Sequence, residues 1–278
     1  MIRSRQFLFL AAALVFLGVA TAATAAPSAK LWGRWTAHDS ASTRSIDHRT
    51  WDRLLQRFVT PAGDGINRFA YGQVGPADRQ LLRDYLQAMS RVEISGYNRD
   101  EQRAFWINLY NALTVDVVVE HFPVESIRDI SSGLFSRGPW DLELIEIEGE
   151  ALTLNDIEHR ILRPIWRDPR IHYAVNCASL GCPNLQMQAF TAANSDSLLE
   201  AAAVEFINHP RGARVVDGEL QVSSIYVWFE ADFGGNDADV IAHLQRYARG
   251  ELRTALDGIR RIDDDSYDWR INSLAGQA

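Results

Sequence analysis

The segment from Asp100 to His121 places the tightest constraint on the fold. Over Ala104-Phe105-Trp106-Ile107-Asn108-Leu109-Tyr110-Asn111-Ala112-Leu113-Thr114 the apolar residues fall on nearly every face of a helix. A helix that is apolar all round has no solvent side and must sit inside a shell of other elements. The reading is a long central helix, ended by Pro123. Asn108 and Asn111 lie three apart and share a face of it. A buried amide without partners costs about 1–3 kcal/mol, so both need hydrogen bonds. They either tie the helix to neighbouring loops or line a cleft, with Tyr110 beside them, and orient a substrate.

The shell is mostly helical. Trp51, Leu54, Leu55 and Phe58 fall at helical spacing over Trp51–Val59. Pro76 suits a first helical position, with Leu81, Leu82, Tyr85, Leu86 and Met89 forming an apolar stripe behind it. Thr60 to Gly75, rich in glycine, reads as loop with a short strand at Arg68 to Tyr71. Leu142 to Ile147 reads as a strand turned by Gly149. Thr153, with Asp156 three residues on, starts a helix through Arg163 that stops before Pro164. Ile171 to Val175 is apolar enough for a buried strand. Ser197 to Asn208 is a helix closed by Pro210, Val215 to Val222 a hairpin around Asp217-Gly218, and Asp237 to Tyr247 the last clear helix. There is no βαβ rhythm, repeat or low-complexity tract. The expected class is α+β: a mostly helical single domain with short strands and a central buried helix.

The N-terminus has the three parts of a secretory leader. Arg3 and Arg5 precede an apolar run from Phe7 to Ala20, and small residues follow. The expected division is a signal peptide over 1–25, cleaved after Ala25, an N-terminal extension over 26–50, and one globular domain over 51–278. The run is shorter than the ~20 apolar residues a spanning helix prefers, and no later segment would cross a bilayer. Location in the periplasm or the medium follows. Loss of Arg3 and Arg5 takes the formal charge from −8 to −10, and there is no basic cluster, which argues against nucleic acid and anionic lipid as partners. A small molecule, a peptide or an envelope protein remains. No cofactor motif is present: Gly234-Gly235 lacks the Lys-Ser/Thr of a phosphate loop.

Two groups beyond the asparagines carry titratable chemistry. Glu158 and His159 are adjacent in their helix and point about 100° apart, so one is expected to face the core and the other a loop or solvent. The segment His172-Tyr173-Ala174-Val175-Asn176-Cys177-Ala178-Ser179-Leu180-Gly181-Cys182-Pro183 holds both cysteines of the chain. In an oxidising compartment two nearby thiols pair, and Gly181 and Pro183 supply a turn, so a Cys177–Cys182 disulfide holding a loop is the first expectation. Cys177 as a nucleophile with His172 or His159 as base is the second. His172 lies five residues before Cys177, an offset that puts the two on opposite faces of a strand unless the chain turns after Val175. A His172, Cys177, Cys182 metal site fits zinc spacing poorly, and no metal is assigned. Asp232, next to Phe233, reads as a cap or turn former.

Several runs occur together in order: Asn108-Leu109-Tyr110-Asn111-Ala112, Leu154-Asn155-Asp156-Ile157-Glu158-His159 with Ile161-Leu162-Arg163, His172 through Pro183, Val222 through Gly234, and Tyr267-Asp268-Trp269-Arg270-Ile271-Asn272. In this the chain resembles the domain of unknown function 547 family, over about Ser90 to Asn272. The resemblance implies that Glu158, His159, His172, Cys177 and Cys182 share a site, but implies no activity. Two functions are therefore expected to compete. One is an exported binding or interaction module with a polar pocket and a Cys177–Cys182 loop. The other is a cysteine-dependent hydrolase or acyltransferase.

Overall fold

The helix predicted to be central is central. In the computed structural model, which describes residues 27–130 and 138–274, α1 (Arg49–Phe58) and α2 (Pro76–Ser90) lead to α3 (Arg99–His121). Asn98 caps α3 through its side chain, accepting from the Asp100 and Glu101 N–H groups. Residues 101–115 of α3 are buried without a break. Helix α2 packs on α3 through Leu82, Tyr85, Leu86 and Met89. Leu81 does not join them: it is exposed. The expected signal peptide falls outside the described residues.

The strands are short and local. Two antiparallel pairs, β1 (Val59–Pro61) with β2 (Asn67–Phe69) and β3 (Ile145–Ile147) with β4 (Glu150–Leu152), stand apart from each other. The third sheet pairs β5 (Ala213–Val216) antiparallel to β6 (Glu219–Ser223), joined at Asp217-Gly218, and β7 (Asp264–Ser266) parallel to β6. Between these, α5 (Ser195–Ile207) gives Leu198 and Leu199 to the core around α3. Its later residues, Ala202, Ala203, Phe206 and Ile207, enter a second apolar cluster with α6 (Ser224–Trp228) and α7 (Asp237–Tyr247). Helix α8 (Gly250–Ala255) closes that side.

Two local expectations fail for identifiable reasons. The helix begun at Thr153 runs on through Pro164. Asp156 and Thr153 cap each other as read, but residues Asp156–Leu162 wind as a π-helix, and α4 (Arg163–Trp166) follows directly. The Arg163 N–H donates to Glu158 O, five residues back, so His159 O is free, and Pro164 has no N–H to offer Arg160 O. The N-terminal arm takes both carbonyls: Lys30 N–H donates to His159 O at 2.9 Å and Trp32 N–H to Arg160 O at 3.0 Å. The arm is therefore part of the fold, and Trp35 at its end packs edge-on against Trp106, ring centroids 5.1 Å apart.

Ile171 to Val175, expected as a buried strand, is not extended. Asp168 accepts from the Arg170 N–H and Pro169 takes the first helical position, so Pro169–Tyr173 coils into a 3-10 turn. A short buried apolar run reads alike for strand and helix, and here the cap decides. The strand geometry that separated His172 from Cys177 does not apply.

Candidate functional site

Asn108 and Asn111 are fully committed to backbone. Asn108 Nδ2 donates to Phe190 O at 2.7 Å while its Oδ1 accepts from Phe190 N–H at 3.0 Å. Asn111 Nδ2 donates to Ala174 O at 2.8 Å, and its Oδ1 accepts from Asn176 N–H at 2.8 Å. Each amide thus replaces a missing peptide partner for a loop, which is the tying role. Tyr110 is buried among them, and burial followed by the nearby Glu158 charge raises its phenol pKa. Asn111→Ala leaves a buried carbonyl and a buried N–H without partners. A loss of about 2 kcal/mol is expected in chemical denaturation, and a change near zero would mean that water replaces the amide.

The cysteine loop hangs from Asn111 and is clamped by the closing segment. Asn176 Oδ1 accepts from Ala178 N–H at 2.8 Å, turning the chain with Ala178 in the left-handed region at φ 59°. Leu180 N–H donates to Arg270 O, Gly181 N–H to Asp268 O, both at 2.8 Å, and Asn272 N–H to Ala178 O at 3.0 Å. A Cβ on Gly181 would lie 2.8 Å from Asp268 N and 3.0 Å from the Tyr267 ring, so this approach needs glycine.

Cys177 and Cys182 face each other inside this clamp as free thiols, Sγ to Sγ 2.8 Å. The disulfide expected between them is not present: a bond would bring the sulfurs to about 2.05 Å, whereas here they hydrogen-bond. The Cys177 N–H donates to Cys182 Sγ at 2.9 Å. Ser179 Oγ donates to Tyr267 OH at 2.9 Å, and Tyr267 OH lies 3.0 Å from Cys177 Sγ. The hydrogen bond to Cys182, with burial behind it, pushes the Cys177 thiol well up. Burial pushes Cys182 up too, but its hydrogen bonds with Cys177 and Tyr267 outweigh it and bring that thiol below its ordinary value.

The second cluster surrounds Asp232. His172 Nε2 is 2.7 Å and Arg163 Nε 2.5 Å from the same oxygen, Asp232 Oδ2. His172 Nδ1 and His159 Nδ1 each stand 3.8 Å from Glu158 Oε1, and His159 Nδ1 also accepts from Arg163 Nη1 at 2.9 Å. Phe229 stacks on the His172 ring at 4.5 Å and carries the Arg163 guanidinium 4.6 Å over its centroid. Glu158 and His159 are both buried, contrary to the expectation that one would face a loop or solvent, because the arm covers that side of the π-helix. Burial pushes the Asp232 carboxyl up, and the hydrogen bonds from His172 and Arg163 overcome it and hold it at about 2.

By hydrogen bonds and ion pairs the predicted groups fall into two clusters, with Glu158 near enough for its charge to act on both Tyr110 and Cys182. Among the described residues no imidazole is hydrogen-bonded to either sulfur, and the His172 ring lies between two carboxylates. Sequence reasoning passed over Asp232, Arg163 and Tyr267. All three do lie in the runs that carry the resemblance, but nothing in their local spacing separates a hub from a turn former.

Asp232 opens onto a cleft of about 440 Å³ between the arm, α4 and the turn ending at Gly234. Arg163, Arg167 and Asp168 line it with Leu31 of the arm. Arg167 ends α4 in the left-handed region, φ 50° and ψ 36°, at a cost a non-glycine residue bears only where the surroundings impose it. Its exposed guanidinium has no hydrogen-bond or ion-pair partner among the described residues, and Asp232 Oδ1 likewise has none. Asp168 is occupied by a bidentate pair with Arg170.

Residues 94–207 match the model of a family described as "Protein of unknown function, DUF547", the family the recurring runs resemble. The match takes in α3, the Glu158-His159 turn, the cysteine loop and α5, and ends before Asp232 and Tyr267. No curated protein and no solved structure matches the chain.

Proposed function

We propose that this chain, whose residues 94–207 match the model of the family described as "Protein of unknown function, DUF547", is an exported binding module, acting in the periplasm or the medium. Its ligand is a small zwitterion, an amino acid or short peptide, held in the cleft at Arg167 and Asp232. One observation carries the reading: an unpaired guanidinium and a spare carboxylate oxygen line the same cleft. Asp232 is ionised at neutral pH and oriented by His172 and Arg163, so its Oδ1 is ready to accept from an ammonium group. Arg167 offers a planar pair of donors that suits a carboxylate. The basic, apolar and small-residue order of residues 1–25 supports export. A cysteine-dependent hydrolase or acyltransferase would need an imidazole on Cys177, and both candidate rings are engaged at the other centre.

Calorimetric titration with free amino acids and dipeptides, beside the same peptides acetylated and amidated, tests the ligand class. Free termini are expected to bind, and Asp232→Asn or Arg167→Ala to weaken binding about 10–100-fold, the range for a charged hydrogen bond of about 1.5–3 kcal/mol. Equal affinity for capped and uncapped peptides, or binding by none of them, would remove the zwitterion reading. Recovery of a chain beginning at Ala26 from the periplasm or medium is the expected result for export, and an intact Met1 chain in the cytoplasm the contrary one.

A further inference from the structure

The cysteine pair lies apart from this cleft's ionic lining and has features the binding reading does not use. We propose that Cys177 and Cys182 form a thiol–disulfide exchange site for aliphatic disulfides, with Cys177 the attacking sulfur and Cys182 the resolving one. Three observations carry it. The sulfurs are already in contact, 2.8 Å apart and unbonded. Their exposures differ: Cys177 is partly accessible and Cys182 is buried, so only Cys177 can meet an external disulfide. And the loop is built around the pair, through the Cys177 N–H on Cys182 Sγ and the Ser179–Tyr267 hydroxyl chain on Cys177 Sγ. Tyr267 is itself fixed between Trp228 and Trp269, with centroids at 4.9 and 4.6 Å. A ring closed over so few residues removes little chain entropy, so a Cys177–Cys182 bond is a weak staple and a readily reversed one.

The reaction starts from the form in which one proton lies between the two sulfurs. Cys177 passes that proton to Cys182, and its thiolate attacks one sulfur of R–S–S–R. The Cys177–S–S–R bond forms, the R–S–S–R bond breaks, and the departing RS⁻ takes the proton from Cys182 to leave as RSH. The Cys182 thiolate then attacks Cys177 Sγ, forming the Cys177–Cys182 bond and expelling the second RS⁻, which takes a proton from water. Two electrons pass from the protein sulfurs to the disulfide, which becomes two thiols. Excess external thiol runs the same steps backwards.

Native protein incubated with oxidised glutathione and read by intact mass tests this directly. The wild type is expected to lose two hydrogens and keep no glutathionyl group. Cys182→Ser is expected to trap one glutathionyl group on Cys177, whereas Cys177→Ser traps none until it is denatured. A wild type that keeps its dithiol mass, or that accumulates a stable glutathionyl adduct, overturns the proposal without any variant. Faster labelling of Cys177→Ser than of Cys182→Ser overturns the assignment of roles. Tyr267→Phe checks the positioning hydroxyl: the pH profile of thiol alkylation is expected to move to higher pH, and an unmoved profile leaves Tyr267 a packing residue only. None of these readouts involves ligand in the Asp232 cleft, so this proposal and the binding reading fail separately.

Discussion

Acidification from pH 6.5 towards 4 is expected to destabilise the protein by about 3 kcal/mol for each of two histidines, the buried His48 and the half-buried His243. Burial lowers both from 6.5 to about 4. Asp47 opposes the shift at His48. At His243, Arg246 and His172 add to it and Asp168 opposes it. His48 Nδ1 lies 2.8 Å from Tyr85 OH, and its Nε2 is buried with no partner, so a second ring proton would have no acceptor. His243 Nε2 lies 2.9 Å from Tyr173 OH amid Phe233 and Tyr247. Between 6.5 and 4 the unfolded chain binds a proton at each site that the folded chain refuses. Their contribution is thus complete above 6.5 and is lost as pH falls towards 4. Asp232, held at about 2, behaves oppositely in range: its contribution persists above its ordinary 3.8 and is lost only below it. Urea midpoints at pH 7, 5.5 and 4.5 measure the slope, and His48→Gln and His243→Gln should each flatten it. A midpoint unchanged between pH 7 and 4.5 would show that both rings take up protons in the native state.

Arg163→Met is expected to cost about 2–3 kcal/mol, below the ~3–5 kcal/mol of a fully buried ion pair because Asp232 is half-buried at the cleft. The Arg163 side chain is only 4% exposed and its guanidinium makes three bonds to different parts of the chain: Asp232 Oδ2, His159 Nδ1 and the Pro27 carbonyl at 2.7 Å. Methionine fills much of the same length, so the loss reports the charge and hydrogen bonds more than a cavity. Asp232 is left with His172 alone, and its carboxyl is expected to move up from about 2. A double-mutant cycle with Asp232→Asn, read by chemical denaturation, should show coupling of about 1–3 kcal/mol between the two positions. A single-variant loss below about 1 kcal/mol would mean that solvent replaces the guanidinium and that the cluster is not a rigid floor for the cleft.

The central helix was legible because one-dimensional pattern suffices for it: apolar residues of Ala104 to Thr114 cover nearly every face and leave only the narrow strip of Asn108 and Asn111, so burial follows from the residues alone. The Asp237–Tyr247 helix and the Asp217-Gly218 turn were legible in the same way, from local period and turn chemistry. Local signals also placed Cys177, Cys182, Glu158 and His172 as candidates. What they are next to was decided only by tertiary structure. Asp232 becomes a hub because Arg163 and His172 converge on its turn from two separate segments, and Phe229 of the turn itself packs on both. The helix after Thr153 passes Pro164 because an arm more than a hundred residues upstream accepts the work of its missing N–H. Cys177 meets Tyr267 rather than a histidine because the closing segment, through Asp268 and Arg270 carbonyls, grips the loop from outside. Period and capping act over a few residues and are written in order along the chain. Hydrogen-bond partners at long separation are chosen by packing, which no local window contains.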